Sequence, residues 1–221
     1  MIPIATTLHH LVVAPEIGGT TTYPAVIMMH GRGADEEDLL GLAEHFDHRL
    51  LILSVRAPFS WSMGGGYTWY DAGQGGAPDP MMFRTSYDRL SHFVDDALSH
   101  YPIDPAKLFL FGFSMGTVMG YALSLTRPGL FRGVLAHSGY LPMVAGMEYR
   151  WKDVGNLSYF IAHGTLDPVI PVEAARAARD LLTASPAQIT YREYPMGHEI
   201  SQQTLDDAAT FLNGLLLANG R

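Results

Sequence analysis

Residues 107–126 constrain this chain more than any other stretch. Lys107-Leu-Phe-Leu-Phe111 is an apolar run of the length of a buried strand. Gly112-Phe113-Ser114-Met115-Gly116 follows it, and the residues from Thr117 to Thr126 support a helix that Pro128 forbids from continuing. A strand, a sharp turn and a helix in that order leave no room for side chains at the turn's flanks, where the two glycines stand. The turn pushes Ser114 out at the carboxyl end of a strand and the amino end of a helix. Free backbone N–H groups and the positive end of the helix dipole there favour negative charge that develops nearby.

The rest of the chain alternates short apolar strands with amphipathic helices, which argues for an α/β fold around a mostly parallel sheet flanked by helices. Strands are expected at Leu8–Val13, Tyr23–His30, Leu50–Val55, Gly133–His137, Leu157–His163 and Gln188–Tyr194. After His30-Gly-Arg-Gly33, Asp35 suits a helix cap, and Leu39, Leu42, Ala43 and Phe46 fall on one helical face. Thr85–His100 carries the clearest apolar stripe, Glu173–Thr183 is an Ala-rich helix, and Ser201 caps a last helix. With 221 residues and 48% hydrophobic content, the chain is expected to be one domain, 1–221, with a full core. No linker or repeat divides it. The stretch Arg56–Arg84 differs: it is rich in glycine and aromatic residues, and it reads as a long covering loop that supplies apolar walls to a pocket.

A net charge of −8 argues against nucleic acid and anionic membrane surfaces as partners. With no cysteine, disulfides, thiolate metal sites and cysteine nucleophiles are excluded. The first residues lack the basic and apolar regions of a signal peptide, and no apolar run approaches a membrane span, so a cytoplasmic protein without stable membrane insertion is expected.

A serine hydroxyl is a weak nucleophile that needs a base, and the base needs a group to fix its tautomer. In open α/β sheets such groups gather beyond the carboxyl ends of strands. Three loops meet that condition: Ser114 after one strand, Asp167 after a later one, and His198 after the last. Of the ten histidines, His30, His137 and His163 end strands and are expected to make structural hydrogen bonds, while His45, His48, His92 and His100 sit on expected helices. Attack by Ser114 creates an oxyanion that requires aimed backbone donors. The N–H of Met115 is one. The N–H of Arg32, between two glycines that let the backbone turn inward, is the other. His163 and Asp167, four residues apart in a loop, are a poor metal pair, so neither metal nor organic cofactor is expected.

These motifs resemble those of the phospholipase/carboxylesterase family of α/β-hydrolases. His30-Gly-Arg-Gly, Gly112-Phe-Ser-Met-Gly, Ser138-Gly-Tyr-Leu-Pro, His163-Gly-Thr-Leu-Asp-Pro and Gly197-His198 stand in the family's order. The resemblance implies Ser114, Asp167 and His198 as a catalytic triad, with Arg32 and Met115 as the oxyanion hole. It also implies a Trp69-Tyr70-Asp71 element near the pocket, with Leu141 and Val169 lining it, and assembly as a homodimer, common among its members. Thioesterase members usually carry Gln where this chain has Met115. That departure favours hydrolysis of small-molecule esters over deacylation of proteins. A non-catalytic binding protein on the same fold is the rival class.

Overall fold

The computed structural model describes residues 4–16, 19, 21–71 and 77–218. Its centre is a seven-stranded sheet of β1 (His10–Val13), β2 (Tyr23–Met29), β3 (Leu51–Val55), β6 (Ile103–Phe113), β7 (Gly133–His137), β8 (Ser158–Gly164) and β9 (Gln188–Tyr194), in the order β1-β3-β2-β6-β7-β8-β9. Only β1 runs antiparallel to its neighbour. A two-stranded hairpin, β4 (Phe59–Ser60) with β5 (Tyr67–Thr68), stands apart from the sheet.

Both faces of the sheet are covered, which explains why its strands are continuously apolar rather than alternating with polar residues. Ala25, Ile27 and Met29 of β2 join Leu108 and Leu110 of β6 on one face. Helices α1 (Pro80–His100), α2 (Met115–Thr126) and α3 (Val172–Thr183) pack there. Val26, Met28, Phe109 and Phe111 point to the opposite face, which α4 (Gln202–Leu217) closes with Leu205, Ala208, Leu212 and Leu216. Helix α2 is buried along its whole length, from Met115 to Leu125. This accounts for its near-absence of charge, as a helix apolar all round belongs in a core.

Some expected boundaries are corrected. The stretch after Asp35 forms no α-helix; it makes a 3-10 turn at Leu40–His45. Asp35 caps locally instead, its Oδ1 accepting from the Glu37 amide at 2.9 Å, an arrangement that favours a turn over a helix. Helix α1 begins at Pro80, not Thr85, because Asp79 caps it through the Met82 amide at 2.8 Å and Pro80 fits the first turn. The expected loop over 56–84 is therefore shorter and contains the hairpin; its Gly73, Gly75 and Gly76 lie outside the described residues. Asp104-Pro105 does not turn the chain before a new strand. It forms a bulge inside β6, where the register with β2 jumps from Tyr23↔Ile103 to Ala25↔Leu108. The final strand and the Ser201 cap, whose Oγ accepts from the Thr204 amide, lie where the sequence places them.

The connection β2→β3 moves toward one edge of the sheet, and β6→β7→β8→β9 moves toward the other. The order reverses between β2 and β6. A crevice opens at such a reversal, beyond the carboxyl ends of the strands. Gly31-Arg32-Gly33 leaves β2 there and Ser114 leaves β6 there.

Candidate active site

Ser114 has φ 54° and ψ −117°, a conformation that non-glycine residues rarely adopt. The turn is held from several sides. The Ser114 amide donates to the His137 carbonyl at 2.9 Å, and Thr117 Oγ1 lies 2.7 Å from the carbonyls of both Gly112 and His137. Gly112 and Gly116 are required by close approach. A Cβ at Gly112 would sit 2.5 Å from the Thr117 nitrogen, and one at Gly116 would sit 1.9 Å from the Met29 carbonyl oxygen.

Three sequence-predicted side chains converge at this turn. Ser114 Oγ is 2.9 Å from His198 Nε2, and His198 Nδ1 is 2.7 Å from Asp167 Oδ2. The second carboxylate oxygen, Asp167 Oδ1, accepts from the amides of Val169 and Ile170 at 2.8 and 2.9 Å. Burial pushes the Asp167 carboxyl up, but hydrogen bonds from His198 and from those two amides outweigh it, and the net shift is downward. The side chain is thus an ionised, buried acceptor beside the imidazole. It fixes the His198 tautomer with the proton on Nδ1 and leaves Nε2 free to accept from Ser114. The Phe113 ring tilts against His198, centroids 5.0 Å apart, and limits its movement.

His163 contributes more than the sequence suggested. It ends β8 fully buried, and Nε2 is 2.8 Å from the Ile170 carbonyl and 3.3 Å from Asp167 Oδ2. Its ring therefore spans the loop that carries Asp167. His30 does make structural hydrogen bonds, as expected. Its Nε2 accepts from the Ala57 amide at 3.0 Å, so its Nδ1 carries the proton and donates to the Gly31 carbonyl at 2.6 Å. Burial lowers the His30 pKa, more than the Gly31 hydrogen bond raises it, which keeps that tautomer neutral. A trans peptide sends its N–H opposite to its C=O. With the Gly31 carbonyl held by His30, the Arg32 N–H faces away from that ring, and among the described residues it donates to no backbone carbonyl. Met115, at the first position of α2, has an amide without an intrahelical acceptor. His137 departs from expectation: neither ring nitrogen has a hydrogen-bond partner among the described residues, and the ring stacks on Phe111 at 4.7 Å.

A cleft of about 510 Å³ opens over Ser114. It is lined by polar Arg32, Asp38, Tyr70, Tyr140 and His198 and by apolar Ala34, Phe113, Met115, Val169 and Ile170, with Gly31 against Phe113 at its floor. Of the pocket residues implied by resemblance, Tyr70 and Val169 line it. Trp69 and Leu141 do not. Trp69 is completely buried and donates from Nε1 to the His30 carbonyl at 2.9 Å, so it braces the Gly31-Arg32 loop from behind. Leu141 is buried in the core beside the helices. The covering segment is anchored rather than draped. Arg56 pairs with buried Glu36 and lies over the Tyr67 ring at 4.4 Å, which ties the hairpin to the loop after β2.

Residues 10–216 match the Phospholipase/Carboxylesterase family. The chain belongs to the phospholipase/carboxylesterase family of α/β-hydrolases. The chain is similar to the putative hydrolase MhqD of Bacillus subtilis, 24% identical over 85% of this chain and 92% of that protein. Acyl-protein thioesterase 1 of Gibberella zeae is 27% identical over 85% of this chain and 88% of its own. Among solved structures, a Bacillus cereus carboxylesterase superposes with a TM-score of 0.82 at 25% identity, covering 94% of both chains. The protein is therefore an enzyme of the carboxylesterase and acyl-protein thioesterase type, a serine hydrolase on the α/β-hydrolase fold. Among the described residues, no cluster of three or more histidine, aspartate or glutamate side chains is arranged to hold a metal ion. No helix among them is long and apolar enough to cross a membrane.

Proposed function

We propose that this enzyme is a serine carboxylesterase that hydrolyses small carboxylic esters through Ser114, His198 and Asp167. The reading rests on one observation: the hydrogen-bond chain from Ser114 Oγ to His198 Nε2 and from His198 Nδ1 to Asp167 Oδ2, at 2.9 and 2.7 Å. His198 removes the Ser114 proton as Oγ attacks the acyl carbon, and ionised Asp167 stabilises the imidazolium that forms. The negative charge on the former carbonyl oxygen is met by the Arg32 and Met115 N–H groups, fixed before the substrate arrives. His198 then gives its proton to the leaving alkoxide, and the acyl group stays on Ser114. A water molecule, deprotonated by His198, attacks that ester and releases the acid. Phe113, Met115, Val169 and Ile170 supply an apolar wall that suits a short to medium acyl or alcohol group.

The likeness to acyl-protein thioesterases favours a second reading, in which the leaving group is a thiolate. Acyl-chain dependence separates the two, because each buried methylene contributes about 0.8 kcal/mol. Activity that keeps rising past roughly eight carbons would point to a long-chain site; a plateau at shorter chains supports the small-ester reading. The test of the reading itself is a fluorophosphonate with the adduct located by mass spectrometry. A single stoichiometric adduct on Ser114, lost in His198→Ala, is the expected result. No adduct on a folded sample would overturn it and favour a non-catalytic binding protein.

A further inference from the structure

The cleft has an excess of hydrogen-bond donors at one end, and that excess narrows the class of ester it suits. Tyr70 and Tyr140 both line the cleft, and their hydroxyl oxygens are 3.1 Å apart. Two hydroxyls in contact use one hydrogen between them and leave the other without an acceptor. Among the described residues no third group takes that hydrogen; the hydroxyls have each other alone. Tyr70 is buried to 1% exposure and Tyr140 is half-buried, so the spare hydrogen of the pair is met by whatever occupies the cleft. Arg32 lines the same end. Its guanidinium carries five N–H donors and no acceptor. It is exposed and, like Arg89, Arg132 and Arg192, forms no ion pair among the described residues, whereas Arg49, Arg56, Arg84, Arg127, Arg150, Arg176 and Arg179 do. The guanidinium is near enough to both phenols to favour their ionised forms, against the larger opposing effect of burial.

We propose that Arg32, Tyr70 and Tyr140 form an anion subsite, and that the preferred substrates are esters carrying a free carboxylate, such as the half-esters of short dicarboxylic acids. The proposal rests on the ester-hydrolase reading and adds the polar group that the substrate presents. A carboxylate is acceptor-only when ionised, and its two oxygens match a planar guanidinium in a forked contact that a neutral ester cannot make. The overall charge of −8 opposes an anion, but distributed surface charge is screened beyond about 8–10 Å in physiological salt, and a contact charge is not. Asp38 also lines the cleft without pairing with Arg32, so its carboxylate is the local group that works against the subsite. Phe113, Val169 and Ile170, which line the same cleft, are uncharged and suit the methylenes of such a substrate. Arg32 thereby has two separate parts in the site: its backbone N–H toward the oxyanion and its side chain toward the remote carboxylate.

The test compares p-nitrophenyl half-esters of succinate, glutarate and adipate with neutral p-nitrophenyl esters of the same acyl length. The readout is the ratio of kcat/KM for each charged and neutral pair, so that a general loss of activity cancels. At least one half-ester is expected to be preferred by the wild-type enzyme. Arg32→Ala is expected to lower that ratio about ten-fold or more, the scale of one charge-assisted contact. Arg32→Glu should lower it further, Tyr140→Phe should lower it less, and Asp38→Asn should raise it. Raising the salt to about 0.5 M should shrink the wild-type preference without abolishing it. Neutral esters turned over with ratios that none of these variants moves would overturn the anion subsite and leave the esterase reading intact. Failure to turn over either kind of ester, with no fluorophosphonate adduct, would overturn the esterase reading itself.

Discussion

His163 Nε2 lies 3.3 Å from Asp167 Oδ2, on the same carboxylate oxygen that His198 Nδ1 approaches at 2.7 Å. Asp167 thus accepts from His198 on Oδ2 and from two backbone amides on Oδ1, while the His163 Nε2 beside Oδ2 bonds the Ile170 carbonyl. That bond holds the Asp167 loop closed from inside.

His163→Leu removes a polar N–H 3.3 Å from that carboxylate and leaves the Ile170 carbonyl unpaired. With that N–H dipole gone, the carboxylate holds the His198 proton more strongly, so the acid limb of the kcat/KM profile should move upward. The rate should fall about ten-fold, in proportion to one lost orienting hydrogen bond. A purely structural role would lower the amplitude without moving the limb. The other charged groups about the cleft, Arg32 and Asp38 across it and Glu199 beside His198, are unchanged by the substitution. His163→Gln, whose amide nitrogen reaches a similar position, should restore most of both quantities. A His163→Leu profile superposable on wild type would remove His163 from any part in positioning.

Ser114→Ala should reduce kcat by at least about a thousand-fold while the protein stays folded, because the side chain lies at the cleft and only its backbone holds the turn. Asp167→Asn should cost about ten-thousand-fold, since an amide facing His198 Nδ1 favours the wrong tautomer. Initial-rate kinetics with circular dichroism on the same samples measure both. A folded Ser114→Ala protein retaining more than about a thousandth of kcat would rule out this nucleophile.

Two glycines should respond in opposite directions to the same substitution. At Gly116 an added methyl would meet the Met29 carbonyl oxygen at 1.9 Å, and neither backbone can withdraw without breaking the turn against β2. Gly116→Ala should abolish folding or lower stability by several kcal/mol, on the order of the large strain effects known for single mutations. Gly214 lies exposed on α4, and an added methyl there would meet nothing within 4 Å. Gly214→Ala should raise stability by about 0.5–1 kcal/mol, or Tm by about 1–4 °C. Thermal melts of the two variants decide the matter.

The convergence of Ser114, Asp167 and His198 was legible in the sequence because each residue sits in a short motif tied to the end of one strand. Local turn chemistry specifies such motifs, and the parallel sheet carries their carboxyl ends to one side. The walls of the cleft were less legible. Trp69 and Tyr70 are neighbours in sequence and both are buried in the core, yet only Tyr70 also reaches the cleft, a difference that depends on tertiary packing. Leu141 turned inward although it follows Tyr140, which lines the cleft. The helix expected after Asp35 failed because aspartate offered the Glu37 amide a local turn. The Asp79-Pro80 start of α1 carried a readable capping signal, but the glycine-rich surroundings masked it. The involvement of His163 with Asp167 depends on a ring that reaches across a loop, which strand-end position alone does not reveal.

His137 makes acid stability testable in isolation. Burial lowers its pKa to about 4, despite the nearby carbonyls of Leu135, Gly112 and Thr204 that favour the proton. His30 and His10 are also lowered, chiefly by burial. A group whose folded pKa is depressed leaves the unfolded chain binding more protons as pH falls below its unfolded value, about 6.5 for histidine. Stability should therefore be complete above that value and decline as pH falls toward 4. The His137 share is on the order of 3 kcal/mol. The depressed carboxylates Asp167, Glu36 and Glu193 act in a separate, lower window, because their unfolded values lie near 4. His137→Phe separates the two. Its ring already stacks on Phe111 and makes no well-formed hydrogen bond, only looser approaches to the carbonyls of Leu135, Gly112 and Thr204, so the substitution should change stability at neutral pH by no more than about 1–3 kcal/mol. It should also flatten the loss between pH 6.5 and 4, since the variant has no imidazole for the unfolded chain to protonate. Urea midpoints measured across that range test this directly. An unchanged slope in His137→Phe would mean that His30, His10 or the carboxylates carry the acid sensitivity instead.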